Sequence, residues 1–233
     1  MLYNRQTVQD NIRNREGKRV FYLGKGDQLT SDARDFLTRE RIAILPAEQA
    51  RPDRFRLLSG GFTEQKPEHM THLNGDVLVL KTHPRIRFRG AMDSLEAEIL
   101  LCLFHADPKT KEELSQVLSL ARELVRREVL NEPVEEKPLC GMTQEQLRAR
   151  SHRPQEFYGQ PHFMPSAEDS QMLLLVNKAR CAARAAELAA AEAFIDGDGK
   201  LLREDLLRAL NRMSSMLYLI MIRLKAEKSE QRS

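Results

Sequence analysis

The run A-R-C-A-A-R-A-A-E-L-A-A-A-E-A-F at 179–194 decides the fold. Alanine is the strongest helix former, and sixteen residues without Gly or Pro make a helix of more than four turns. Arg180, Arg184 and Glu187 sit at i, i+4 and i+7, so at 100° per residue they fall within about 60° of one another on one stripe. Two cations and a carboxylate on one stripe suit a nucleotide triphosphate with its divalent metal; they equally suit a solvated ion-pair face. A D-G-D-G turn at 196–199 closes this helix, and a second follows with A-L-N-R-M-S-S at 209–215. Leu206, Leu210, Met213, Leu217, Ile220 and Leu224 are spaced 4, 3, 4, 3, 4, the seam of a helix packed almost parallel to a bundle neighbour. Asn211 and Arg212 are expected beside that seam, either solvated or lining a cleft against the Arg180 stripe. D-G-D-G-K begins like a calcium loop but offers Lys200 and Leu207 where an acceptor and a glutamate are needed, so it reads as a turn.

The chain of 233 residues, 41% hydrophobic and 30% charged, is long enough for one main core and a small appended unit. No run approaches the ~18 apolar residues of a membrane span, no N-terminal stretch resembles a signal peptide, and a cytoplasmic setting is expected. Cys102 and Cys181 lie on apolar-patterned helices and read as core filler. A net charge of +3 without tryptophan is a weak basis for nucleic-acid binding.

Residues 1–50 read as a small mixed α/β unit. A helix is expected over 7–14 and another over 30–39, with strands at 20–23 and 42–45. G-K-G-D at 24–27 is a turn, because its spacing matches no phosphate-loop pattern. Residues 51–70 read as a linker from Pro52, Pro67 and Gly60-Gly61. His69 and His72 at H-x-x-H spacing are a weak metal signal. Beyond them, V-L-V-L at 77–80 is extended and Pro84 is expected to break the chain. Helices are expected from about Arg89 to Ala106, which puts Asp93 in a first turn, and from Thr110 to Leu130. The stretch 131–166 is loop-rich, with one helix at 143–150, and loops of that length usually cover a site.

Four motifs in order resemble the EutT-like ATP:corrinoid adenosyltransferases and, more distantly, the PduO-type enzymes. They are K-T-H-P-R-I-R-F-R-G-A-M-D-S-L at 81–95, the R-x3-R-x2-E of Arg180, Arg184 and Glu187, A-L-N-R-M-S-S at 209–215, and T-H-L at 71–73 with S-H-R-P…H-F-M-P at 151–165. The resemblance covers about 70–224. It implies a mainly α fold, a helical bundle of the cobalamin adenosyltransferase type at 71–233. The implied reaction transfers the 5′-deoxyadenosyl group of ATP to the cobalt of a reduced corrinoid, forming adenosylcobalamin, with Mg²⁺ beside the ATP.

By motif position the resemblance implies that Lys81, Arg184, Glu187 and Asn211 contact ATP and its Mg²⁺, with Thr71 and His72 at the phosphates. Asp93 and Arg180 would form a buried ion pair shaping the corrinoid pocket, and His162, Phe163 and Met164 would wall the corrinoid. It also implies a homo-oligomer (trimer favoured, dimer possible), a corrinoid reductase or adenosylcobalamin-dependent lyase as partner, and a bacterial microcompartment as setting. Many EutT-type chains carry a C-C-x-x-C cluster upstream of T-H-L. None stands here before Cys102, so no structural zinc or iron is expected. A bundle that binds corrinoid or another protein without transfer stays open, as does a regulator whose Arg5, Arg13, Arg15, Lys18 and Arg19 contact nucleic acid.

Overall fold

The computed structural model describes residues 1–15, 17–47 and 55–230. Pro52, part of the stretch read as a linker, lies outside the described residues. The chain divides into two compact units, 1–81 and 82–233.

The first unit begins with β1 (Leu2–Tyr3), α1 (Arg5–Asp10), β2 (Arg13–Arg15), β3 (Lys18–Leu23), β4 (Gln28–Leu29), α2 (Ser31–Arg39) and β5 (Ala43–Pro46). Strand β3 pairs antiparallel with β2 and parallel with β5, and β1 pairs parallel with β4. Val8, Phe21, Ala33, Phe36, Leu37 and Ile42 form its core. The helix expected over 7–14 is shorter and earlier, because Asn4 caps it in a reciprocal capping box with Thr7. At 24–27 Asp27 Oδ2 accepts the Gly24 N–H at 3.1 Å, and Gly26 has φ +89°, which makes a plain turn. Two cations of the basic N-terminal set are engaged: Arg5 stacks over Phe36 and Arg19 pairs with Glu40 at 3.2 Å.

The stretch read as a linker carries strands. β6 (Phe55–Leu57), β7 (Phe62–Thr63), β8 (Met70–Asn74) and β9 (Val77–Leu80) form a sheet in the order β7-β6-β9-β8. Gly60 and Gly61, at φ +99° and +86°, turn the chain between β6 and β7. The Gly and Pro content marks the turns of this sheet, and two- and three-residue strands are too short to show a period.

The second unit is helical: α3 (Pro84–His105), α4 (Pro108–Leu130), α5 (Gln144–His152), α6 (Pro154–Tyr158), α7 (Gln171–Phe194) and α8 (Glu204–Glu230). Pro84 does not break the chain. It occupies the first turn of α3, where its missing N–H is no loss, and His83 Nδ1 accepts the Arg85 N–H at 3.2 Å. Helix α3 therefore starts five residues before Arg89, and Asp93 stands in its third turn, out of reach of a first-turn dipole effect. Asp107 caps α4 by accepting the Thr110 N–H at 3.1 Å, and Asn131 ends it at φ 54°. At 196–200 Asp196 Oδ1 accepts the backbone N–H groups of Asp198 and Lys200, the turn expected there.

Helix α7 buries Ala179, Ala183, Ala186 and Ala190 completely. With no side chain beyond Cβ, this stripe lets neighbouring helices approach closely. Every seam residue of α8 from Leu206 to Ile220 is buried as its spacing predicts, and so are Met216, Leu219, Met221 and Ile222 off the seam. A helix apolar on most sides is an interior helix. Each such side chain contributes about 1.5–3 kcal/mol on full burial.

One ion cluster underlies the bundle. Glu128 is fully buried near the end of α4 and holds two cations of α3, accepting from Arg85 Nε at 2.5 Å and Arg89 Nε at 2.7 Å. Arg85 also donates to the Glu128 carbonyl at 3.0 Å. Two arginines of the 81–95 motif thus join helices. Glu128→Ala leaves both guanidinium groups without their buried counter-ion and is expected to cost about 3–5 kcal/mol. The urea midpoint measures this, and a loss below about 1 kcal/mol would contradict the assignment.

Candidate functional site

The stripe predicted on α7 faces α8. Asn211 Nδ2 donates to Glu187 Oε1 at 3.3 Å. Seven residues back along α7, the Arg180 guanidinium lies over the Tyr218 ring at 5.9 Å, seven residues forward along α8. Equal steps in opposite directions define an antiparallel register. It separates two polar layers by two helical turns, about 10 Å. Between them stands Arg184, exposed and without an ion pair among the described residues.

The Tyr218 layer is anchored by the 151–170 segment. His162 stacks on Tyr218 with ring centroids 5.9 Å apart and planes 11° from parallel. Its Nε2 lies 3.2 Å from the His152 carbonyl and its Nδ1 lies 2.7 Å from the Tyr218 hydroxyl. A carbonyl only accepts, so neutral His162 carries its proton on Nε2, and Nδ1 accepts from Tyr218. Burial raises the Tyr218 pKa; the Arg180 charge and the Phe163 N–H pull against that rise. Lys225 Nζ sits 5.3 Å from the Phe163 ring centroid and pairs with Asp169 at 2.5 Å. Met164 is 88% exposed. The segment is more regular than its composition suggests: Pro154 starts α6, and Gly159 stops it at φ 64°.

Other expected residues are placed differently. The Asp93–Arg180 ion pair is not formed in this structure. Asp93 is exposed, with no ion pair among the described residues, and Arg180 Nε and NH2 donate to Asn177 Oδ1 at 3.4 Å each. The Lys178–Glu98 and Arg87–Glu192 bridges set α3 antiparallel to α7, and that register leaves Asp93 more than one turn, about 7 Å, from the level of Arg180. Thr71, His72 and Lys81 belong to the first unit. The T-H-L segment is strand β8, which turns at Gly75 (φ 52°), rather than an open phosphate loop. His72 Nδ1 lies 3.1 Å from the Gly75 carbonyl, and Lys81 Nζ lies 3.1 Å from Glu68.

Glu187 offers a hard oxygen donor with one oxygen committed to Asn211, which fits a Mg²⁺ that keeps most of its shell for phosphate and water. Among the described residues no group of three or more His, Cys, Asp and Glu side chains is placed to hold a metal ion. Cys102 is buried and its pKa is pushed up to about 11; Cys181 is exposed on α7 rather than in the core. No helix of the described residues is long and apolar enough to cross a membrane.

Sequence reasoning missed Tyr218, and it left Arg212 either solvated or lining a cleft against the Arg180 stripe. Tyr218 was legible in principle, since it repeats after Asn211 the seven-residue step that separates Arg180 from Glu187. Arg212 is 7% exposed and does neither: it donates to the Lys137 carbonyl at 2.9 Å and to Gln144 Oε1 at 3.1 Å, and pairs with Glu136 at 3.1 Å. All three partners lie on the 131–166 connection.

The helical unit and its α7–α8 face define a bundle of the corrinoid adenosyltransferase class. The cobalamin adenosyltransferase family model matches residues 61–224, and the chain belongs to that family. It is 32% identical over 158 residues to the corrinoid adenosyltransferase EutT of Salmonella typhimurium, covering 68% of this chain and 59% of that protein, and equally similar to the EutT of Escherichia coli. The chain thus spans about three fifths of the length of these relatives. Among solved structures, two variants of a PduO-type ATP:corrinoid adenosyltransferase from Lactobacillus reuteri, both complexed with cobalamin and ATP, share the fold. Their TM-scores are 0.51 and 0.52 at 13% and 14% identity, covering 76% and 79% of this chain and 91% and 92% of theirs.

The Asp169 side chain is 1% exposed, and its pKa is lowered by the hydrogen bond from Lys225, against the opposing effect of burial. A carboxyl lowered in the folded state contributes stability that is full above the ordinary carboxylate range, near ~3.9, and is lost as pH falls through the folded value. Asp169→Asn is therefore expected to flatten the loss of stability between about pH 5 and pH 2. Urea unfolding across that range measures it, and parallel curves for both proteins would contradict it.

Proposed function

We propose that the chain transfers the 5′-deoxyadenosyl group of ATP to the cobalt of a reduced corrinoid, forming adenosylcobalamin. The observation that carries this reading is the two-layer face of α7 and α8. Glu187 and Asn211, with Arg184 one turn away on the same face, suit a metal-bound phosphate chain, and Arg180, Tyr218 and His162 suit a large planar ring system two turns from Glu187. In the transfer, cobalt in its +1 state supplies the electron pair to C5′. The C5′–O bond breaks, and triphosphate departs with that bond's electrons. No strong acid or base is required. The chain must hold the leaving group, stabilise its growing charge and keep C5′ in line.

Arg184, with a guanidinium free to bind two phosphate oxygens, is assigned to the leaving group. Mg²⁺ bound with ATP supplies charge neutralisation, and Glu187, oriented by Asn211, is the protein oxygen suited to it. Lys81, Thr71 and His72 are assigned to ATP by their motif positions alone. His162 and Phe163, fixed by Tyr218 and Lys225, present a rigid wall that excludes water from the corrinoid face; exposed Met164 completes it.

We also propose that the protein works as a homo-oligomer, with a trimer favoured over a dimer. Helix α3 exposes Phe104 at 83%, with Leu100 and Leu101 partly exposed beside it, and leaves Asp93 available to a neighbouring copy. Asp93 then contributes to the corrinoid pocket only in the assembly. The electron for cobalt comes from a separate reductase, and the product passes to an adenosylcobalamin-dependent lyase. A cytoplasmic setting, within a microcompartment, rests on the resemblance of the motifs.

The test is anaerobic mixing of protein, ATP, Mg²⁺ and chemically reduced cobalamin, followed by the spectrum of adenosylcobalamin. Product is expected only with ATP present. Arg184→Ala should raise the KM for ATP about tenfold or more, the scale of a lost charged hydrogen bond, without unfolding the chain. Glu187→Gln should raise the Mg²⁺ concentration needed for half-maximal rate. Tight binding of both substrates without product would favour a binding bundle over an enzyme.

A further inference from the structure

Helices α5 and α8 enclose a second polar cleft beside the Glu187–Asn211 contact. Arg148 and His152 enter from α5, and Arg208, Asn211, Arg212 and Ser215 enter from α8. Arg148 and His152 are four residues apart, as are Arg208 and Arg212, so each pair shares a helix face. Among the described residues no carboxylate lines this cleft. A larger cleft of about 240 Å³ on the other side of Arg208 and Arg212 is lined by Glu123, Glu135, Glu136 and Asp205. The cationic surplus therefore belongs to the smaller cleft alone.

Two of the three arginines there are poorly compensated. Arg148 makes no ion pair among the described residues, and Arg208 reaches only Glu204, at 3.8 Å with both side chains exposed. Arg212 is 7% exposed and pairs with Glu136 at 3.1 Å, while its Nε is buried with no hydrogen-bond partner among the described residues. A buried guanidinium N–H left unmatched is costly, and Arg148 and Arg208, facing one cleft without close counter-ions, repel unless an anion is supplied. The cleft holds about 80 Å³. At roughly 10–15 Å³ per water it has room for about five to eight water-sized groups, the size of one phosphate and too small for a nucleoside or a corrin ring.

We propose that this cleft is a phosphate-group site, clamped by Arg148 and Arg208 at its exposed side and completed by Asn211 and Ser215. The inference rests on the proposed function for the identity of its occupant. Asn211 is shared between the cleft and Glu187, so a phosphate chain whose metal sits at Glu187 continues into the cleft, and the terminal phosphate of ATP is the favoured occupant. A terminal phosphate carries more charge than a phosphodiester and better matches the arginines. The phosphodiester of a complete corrinoid is the other source of the same chemistry. Holding the terminal phosphate would keep the departing triphosphate in line with C5′ and assign Arg148 and Arg208 as further binding residues.

Titration of inorganic pyrophosphate into the full chain at low salt, read by calorimetry, tests the cleft directly. Arg148→Ala and Arg208→Ala should each weaken binding about tenfold. Arg148→Lys should recover part of the loss, and Arg153→Ala, a neighbouring exposed cation outside the cleft, should change nothing. In the transfer assay, a raised KM for ATP at unchanged kcat identifies the nucleotide as the source. A raised KM for cobalamin but not for cobinamide, which lacks the phosphodiester, identifies the corrinoid. Unchanged pyrophosphate affinity in both alanine variants overturns the proposal. Weakened pyrophosphate binding with every KM unchanged also overturns it, marking an adventitious ion only. Absence of transfer by the wild-type chain would count against the proposed function, while the calorimetric result would still decide whether the cleft binds phosphate.

Discussion

Helix α7 can lie closely along both α3 and α8 because Ala179, Ala183, Ala186 and Ala190 give it a fully buried stripe one methyl deep. The other features of the face depend on this constraint. Close-packed helices do not slide continuously, since their side chains interdigitate at native density. Once the alanine stripe sets the register, Glu187 must meet Asn211 and Arg180 must meet Tyr218. A larger side chain at any of these alanines would push the helices apart or shift them by a step. Either change would separate the two polar layers that α7 and α8 present together.

Around this rigid pair the chain places charge with care. Glu128 neutralises Arg85 and Arg89 where α3 meets the end of α4, Asp169 neutralises Lys225 beneath Phe163, and Arg223 pairs with Glu113 and Glu227. Each partly buried cation in these clusters has a carboxylate within ion-pair distance. Arg184 and Arg148 have none among the described residues. Both are exposed, and under the proposed function phosphate supplies the opposite sign to each. The same contrast separates the acid-lined cleft beside Arg208 from the carboxylate-free one.

Much of the helical unit was legible because long helices advertise their faces. The 3-4 spacing of α8 predicted its burial correctly; the Arg180, Arg184 and Glu187 stripe of α7 stayed open between solvent and a cleft, and the structure turns Arg180 and Glu187 to α8. Legibility failed where partners are distant or elements are short. Nothing local to Glu128 marks its role, since its cations stand 39 and 43 residues earlier. Pro84 looked like a breaker because proline ends helices as readily as it begins them, and only its cap, His83, distinguishes the two. The strands at 55–63 are too short for periodicity and were hidden by the glycines and prolines that turn them. Asp93 and Arg180 were paired by resemblance of motifs, and a motif match carries no information on register within one chain.

The proposed function divides labour along the α7–α8 face, with phosphates at the Glu187 level and corrinoid at the Tyr218 level. Dissociation constants for ATP with Mg²⁺ and for cobalamin, measured separately on Tyr218→Leu, test it most directly, because leucine keeps the apolar bulk and removes the stacking surface and hydroxyl. Loss of the ring contact and its hydrogen bond is expected to weaken cobalamin binding about tenfold and to leave ATP binding within about twofold. Equal weakening of both ligands, or weakening of ATP alone, would contradict the account.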